Sequence, residues 1–209
     1  LLKSLADIER LVSRAVTNQG NARDLVALRA TLQTLPAIQQ ALESCAAPAI
    51  AKMREHLAPA PELRELLETA IADEPPATLT DGGLIREGYD AQLDEYRTAM
   101  REGKSWIAQL EESERQRTGI KNLKIGFNNV FGYYIEVTKA NLAGVPDDYT
   151  RKQTTANAER FITGELKEKE ELILGAEEKS KELERRLFER VRDQVGGHAG
   201  PLLDTARAL

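Results

Sequence analysis

The feature that most constrains this fold is a change of hydrophobic period partway along the chain. On both sides of the stretch from Ile120 to Phe161, apolar residues recur at helical spacing; within it, short runs alternate instead. On the amino-terminal side the repeats are Leu1, Leu5, Ile8 and Val12, then Leu25, Leu28, Leu32 and Leu35, then Leu63, Leu66, Leu67 and Ile71. Asn21, Pro36, Pro48, Pro59 and Pro61 punctuate them. The pattern predicts a scaffold bundle of short amphipathic helices. Pro75 and Pro76 close it, and Ala77–Ile85 reads as an extended hairpin turning at Asp81-Gly82-Gly83. A long helix is then expected from Tyr89 to Thr118, with Leu93, Tyr96, Met100, Ile107 and Leu110 on its stripe. At ~1.5 Å per residue it would run about 45 Å.

Within Ile120–Phe161, Leu123–Phe127 and Tyr133–Val137 are rich in β-branched and aromatic residues, with Asn128, Asn129 and Gly132 between them as turn formers. Strands are predicted there, with a miniature core of their own. From Gly164 the helical period returns and runs to Val195 through Leu166, Ile173, Ala176, Leu183, Leu187 and Val191. The expected fold is mainly α with a small β domain. It would comprise a helical bundle and a long antiparallel helix pair, helix out and helix back, with the small β-sheet inserted at the far end.

Composition agrees with that picture, since 30% of the chain is charged and only 5% aromatic, leaving little material for a thick core. The formal net charge is -5, so attraction to nucleic acid has to come from local placement of basic residues. A single cysteine, Cys45, beside Ala46, Ala47 and Pro48, supports no disulfide framework. A buried thiol in a reducing cytoplasm is expected. No apolar run reaches the ~20 residues of a membrane span, so no membrane partner is expected. No basic and apolar leader precedes Leu1. The chain begins without methionine and stops at Ala206-Arg207-Ala208-Leu209 in a still helical pattern, as a piece of a larger protein would.

The chemical motifs are few. Gly103-Lys104-Ser105 resembles the tail of a phosphate-binding loop, but Thr98 stands where that loop needs its first glycine, and the triplet lies in a helix. His56 and His198 have no second ligand at metal spacing. Glu165, Glu168, Glu170, Glu171, Glu177 and Glu178 alternate with Lys167, Lys169 and Lys181 at i,i+3 and i,i+4, which reads as a solvated face rather than a metal site. No catalytic activity and no cofactor are expected.

The β segment differs in sign from the chain. Between Lys121 and Arg160 six basic residues (Lys121, Lys124, Lys139, Arg151, Lys152, Arg160) face four acidic ones (Glu136, Asp147, Asp148, Glu159). Lysine and arginine neutralise phosphates, and asparagine, glutamine and threonine donate hydrogen bonds to phosphate oxygens; Arg151–Asn157 supplies all of these types together. Basic residues on an edge strand also keep sheets from pairing with one another.

Ile120-Lys121-Asn122-Leu123-Lys124-Ile125-Gly126-Phe127-Asn128-Asn129-Val130-Phe131-Gly132-Tyr133-Tyr134-Ile135-Glu136-Val137 resembles the segment that opens the clamp of the MutS family of DNA mismatch repair proteins. Tyr149–Thr163 and Glu165-Leu166-Lys167-Glu168 are similar to that family's return into its lever, and Asp81–Tyr89 and Leu93-Asp94-Glu95 extend the likeness upstream. The resemblance implies an outgoing lever part at 1–103, a clamp at 104–164 and a returning lever part at 165–209. It implies sequence-independent binding of double-stranded DNA, within a homodimer that also meets other mismatch repair proteins. ATP and Mg would belong to parts of the full-length protein other than this chain. Carried over by position, Arg151, Lys152 and Asn157 contact the DNA backbone, with Gln153 next and Lys139 and Asn141 near the clamp tip. Thr155-Ala156 departs from the family, which often has an apolar residue and then lysine there. The competing expectation is an antiparallel coiled-coil arm that serves protein–protein interaction.

Overall fold

The computed structural model of the chain describes residues 5–45 and 47–209, so the apolar position Leu1 and the neighbour Ala46 of Cys45 lie outside it. It is mainly helical with one four-stranded antiparallel sheet. The chain divides into two compact units, one running up to Ala91 and resuming at Lys181–Leu209, the other Gln92–Ser180. No helix among the described residues is long and apolar enough to cross a membrane.

The first unit is built from α1 (Ile8–Val16), α2 (Ala22–Glu43), α3 (Pro48–His56) and α4 (Pro61–Ala70), with residues from Lys181 onward of α6 (Gly164–Gly197) and all of α7 (Ala199–Ala208). Local chemistry sets their ends. Asp7 caps α1 by accepting from Arg10 N–H, and Asn21 and Asp24 form a reciprocal capping box at the start of α2. Asp24 also binds Arg14 at 2.9 Å, tying the two helices. Pro48 and Pro61 occupy first-turn positions, where a missing N–H costs nothing. Leu11, Leu25, Leu28, Leu32, Leu35, Leu63, Leu67 and Phe188 are fully buried.

Three expectations need correction here. Pro36 does not break a helix: α2 passes through it, because Leu28, Leu32, Leu35 and Ile38, buried on both sides of it, hold the helix against its neighbours despite the lost ladder bond. Cys45 is exposed, lying beyond the end of α2 after its C-cap Ser44. Ala77–Ile85 forms no hairpin. Its first part is a series of bends, and its one bridge, Ile71 with Ile85, joins the segment to the end of α4 instead.

A side chain captures that segment. Glu184, on α6 and 2% exposed, accepts from Gly83 N–H (2.9 Å), Leu84 N–H (2.8 Å) and Ile85 N–H (2.9 Å). Gly82 and Gly83 take φ of 75° and 76°, a conformation that turns successive amides toward one acceptor and that residues with a Cβ resist. Arg29, buried beneath, donates to Ile71 O (3.0 Å) and to Asp73, which Arg86 also binds at 2.6 Å.

The second unit holds α5 (Ala91–Thr118) from Gln92 on, the strands β1 (Lys124–Asn128), β2 (Gly132–Thr138), β3 (Thr150–Thr154) and β4 (Ala158–Ile162), and α6 up to Ser180. A 3-10 turn, Lys139–Gly144, follows β2. The strand order is β1-β2-β4-β3, so β1 and β3 are the edges. One face packs Ile135, Val137 and Phe161 against Leu110 of α5 and Leu166 of α6, with Ile120, Leu123 and Tyr149 completing the cluster.

Within this unit α5 and α6 run antiparallel. Leu110 shares a core with Leu166, the Lys169 ammonium lies 5.5 Å from the Trp106 ring, and Gly103 meets Ile173. A Cβ on Gly103 would fall 2.3 Å from the Ile173 side chain, so this glycine is where one helix backbone admits the other's side chain. That packing, and not phosphate binding, accounts for Gly103.

Replacing Glu184 by alanine strands three amide donors, two of them buried, and should destabilise the chain by about 3 kcal/mol. Urea denaturation followed by circular dichroism measures this, and Glu184→Gln, which keeps one acceptor oxygen, should lose less.

Candidate nucleic-acid interface

The sheet register brings separate pieces of sequence to one end of the second unit. β2 and β4 close with Thr138 opposite Ala158, and Lys139 N–H then donates to Asn157 O at 3.1 Å. Asn141 Nδ2 donates to Asn122 Oδ1 (2.7 Å) and Thr138 Oγ1 (3.2 Å), and Asn122 Nδ2 donates to Thr138 Oγ1 (3.0 Å). Lys121, Asn122, Lys139, Asn141 and Asn157 therefore cluster at this end. Asn141 spends its amide on fastening the 3-10 turn to the loop before β1, whereas Lys139 and Asn157 are exposed.

The opposite end is chemically different. The β1–β2 hairpin leaves Phe127 (46%), Val130 (80%) and Phe131 (46%) exposed, and the Phe127 and Tyr133 rings lie 4.9 Å apart. Glu170 of α6 accepts from Tyr133 N–H. Burial, and then the charges of Glu177 and Glu170, push the Tyr133 phenol above its ordinary range.

Arg151, Lys152 and Gln153 sit on the edge strand β3. The register shifts between Arg151, opposite Phe161, and Gln153, opposite Arg160, so Lys152 is the extra residue of a bulge. Arg151 binds Glu159 at 3.2 Å while remaining largely exposed, an arrangement worth at most about 1 kcal/mol and readily exchanged for another anion. Gln153 Oε1 accepts from Arg160 Nη1 at 2.9 Å, Glu136 accepts from Arg160 Nε at 3.0 Å, and the Arg160 guanidinium lies 4.2 Å from the Tyr134 ring. Gln153 thus orients Arg160 on the outer face of the sheet.

These pairings refine the count of six bases against four acids. Arg151 with Glu159, Arg160 with Glu136, and Asp148 with Arg117 cancel in pairs. Among the described residues Lys121, Lys124, Lys139 and Lys152 are left without an ion-pair partner, against Asp147. Neither Lys121, counted from sequence among the basic residues, nor Asn122, part of the stretch that carries the family resemblance, stands out there as a site residue; they come beside Thr138 and Asn141 only in the folded loop. No cluster of three His, Cys, Asp or Glu residues among those described could hold a metal ion.

A buried polar group braces this region. Glu114 in the last turns of α5 accepts from the Tyr149 hydroxyl at 2.6 Å and from Arg117 at 2.8 Å. Burial, reinforced by the hydrogen bond to Glu114 and its charge, holds the Tyr149 phenol well above its ordinary range.

The second unit is thus a helix pair carrying a four-stranded sheet with one lysine- and amide-rich end. The sequence pattern of MutS family domain IV matches residues 88–179. The chain is 52% identical over 208 residues to the DNA mismatch repair protein MutS of Halothermothrix orenii, 53% over 210 to that of Pelotomaculum thermopropionicum, and 54% over 209 to that of Geobacillus kaustophilus. Each alignment covers the whole of this chain and 23–24% of the relative. The chain belongs to the MutS family and spans about a quarter of the length of these relatives.

Because folding raises the Tyr149 ionisation above its unfolded value, the stabilisation it brings is full below about pH 10 and is lost as pH rises through the folded-state value. Tyr149→Phe should therefore lose less stability than the unaltered chain between pH 8 and pH 11. Urea unfolding at the two pH values measures the difference.

Proposed function

We propose that the sheet-bearing unit holds the sugar–phosphate backbone of duplex DNA without reading its sequence, as one part of a mismatch repair protein. The observation that carries this reading is the charge distribution. Arginines and acids of the β segment cancel in pairs, and the lysines that remain stand with exposed asparagine at one end of the sheet and along its edge. Lysine ammonium groups are mobile point charges suited to phosphates and poorly suited to identifying bases. Lys152 and Lys139 contribute charge directly, Arg151 exchanges Glu159 for phosphate, and Asn157 donates a hydrogen bond. Gln153 and Asn141 act mainly by orienting Arg160 and the 3-10 turn. The relatives' name, DNA mismatch repair protein MutS, supports the assignment.

In the longer protein this unit would work as a homodimer's grip on DNA. Its packed helices would carry a nucleotide-driven change from an ATPase domain outside the chain, which is where ATP and Mg would bind. The chain itself would perform no catalysis, and other mismatch repair proteins would meet the complete assembly in the cytoplasm.

One observation favours the alternative, a protein–protein interaction arm: the exposed Phe127, Val130 and Phe131 at the hairpin. Salt separates the two readings. Duplex binding measured by fluorescence anisotropy should weaken steeply as salt rises, each phosphate contact adding about one unit to the log–log slope. Lys152→Ala should weaken binding of matched and mismatched duplex alike, by about threefold to tenfold, and reduce the slope by roughly one. An effect confined to one duplex would refute backbone contact, and no salt-sensitive binding at micromolar protein would favour the interaction arm.

A further inference from the structure

The last turns of α5 and the residues entering β3 share a polar cluster. Glu114 is 8% exposed and Tyr149 7%. The Tyr149 hydroxyl donates to Glu114 Oε2 at 2.6 Å, and Arg117 donates to the same carboxylate from Nε (3.0 Å) and Nη2 (2.8 Å). Arg117 also grips Asp148 at 3.2 and 3.1 Å, and its guanidinium lies 5.6 Å from the Tyr149 ring. A carboxylate this buried is tolerable only because its oxygens are so fully engaged. Arg117 is correspondingly held above the ordinary guanidinium range by its bonds to Glu114 and Asp148.

The placement of this cluster gives it a role. Asp148 and Tyr149 immediately precede β3, an edge strand held by a neighbour on one side only and interrupted by the bulge at Lys152. Such a strand has few constraints on where it starts. Tyr149 supplies two of them: its hydroxyl is fastened to α5, and its ring packs 5.7 Å from that of Phe161, the β4 residue opposite Arg151.

We propose that Tyr149, fastened by Glu114 and Arg117, is a positioning residue that sets the start of β3 and thereby aims the bulged Lys152 at a phosphate. This rests on the reading of the unit as a DNA-backbone grip. Tyr149 touches no DNA and acts through Lys152. Losing the hydroxyl leaves the ring packing on Phe161 intact but frees the strand's entry, so the ammonium samples orientations that miss the phosphate.

A double-mutant cycle tests it in the intact chain, with duplex DNA binding measured at several salt concentrations for Tyr149→Phe, Lys152→Ala and the pair. Tyr149→Phe should retain cooperative unfolding, weaken binding about threefold to fivefold, and lower the salt slope by close to one. Added to Lys152→Ala, it should cost less than about 1.5-fold more, because both changes remove the same contact. Arg117→Lys, which keeps the charge but loses the forked grip on Glu114 and Asp148, runs the same cycle without altering the buried ring. Effects that simply add, or an unchanged affinity and slope in Tyr149→Phe while Lys152→Ala weakens binding, would overturn the positioning role and leave the DNA reading intact. An unaltered chain with no salt-dependent binding would overturn both.

Discussion

The second unit depends on one packing event: a single face of the sheet closing over the facing turns of α5 and α6. Ile135, Val137 and Leu166 are fully buried there, each worth about 1.5–3 kcal/mol of apolar burial. Polar side chains from the same two helices set the details. Glu111 accepts from Ile125 N–H at 2.7 Å, Arg115 donates to Leu123 O at 2.8 Å, Glu170 takes Tyr133 N–H, and Glu114 takes the Tyr149 hydroxyl. The entries of β1, β2 and β3 are thus each fastened to a helix, and the ends of the sheet differ because different fasteners meet there.

That arrangement explains how an acidic chain can offer a basic surface. The acids of α5 and the β segment are largely consumed by internal work, holding backbone amides or neighbouring arginines. The β-segment lysines Lys121, Lys124, Lys139 and Lys152, whose ammonium groups are costly to desolvate, stay exposed to water. The resulting field is local and would be screened within a Debye length of about 8 Å at physiological salt, which suits the proposed grip on phosphates without preference for one sequence. The first unit follows a similar logic with another outcome: Glu184 and Arg29 spend their charge on backbone groups of the segment before α5, and the result is rigidity.

Much of this was legible along the chain. Leu93, Leu110, Leu166 and Ile173 repeat at helical spacing and face cores, and Ile125, Ile135 and Val137 lie in strands as alternation requires. Asn21, Pro48 and Pro61 mark helix starts for local reasons of capping and fixed φ. The failures share a cause. Pro36 is overridden by burial of residues on either side, Ala77–Ile85 by Glu184 about a hundred residues away, and the expected burial of Cys45 by the place where α2 ends. In each, a nonlocal partner or the course of the chain defeats a local preference.

By itself the sequence determined the long helices and the first two strands, because periodicity and turn chemistry act over a few residues, and it placed the excess of basic residues in the β segment. β3 and β4, polar and short, carry too weak an alternation to be read as strands before they pair. Only the tertiary structure decided which of those charges remain available. Whether Arg151 or Lys152 stands unpaired depends on a bulge that sets Arg151 against Glu159, and whether Lys121 joins Lys139 and Asn157 depends on strands that meet through register rather than adjacency. Ion pairing falls off steeply with distance, and distances between residues far apart in sequence exist only once the chain has folded.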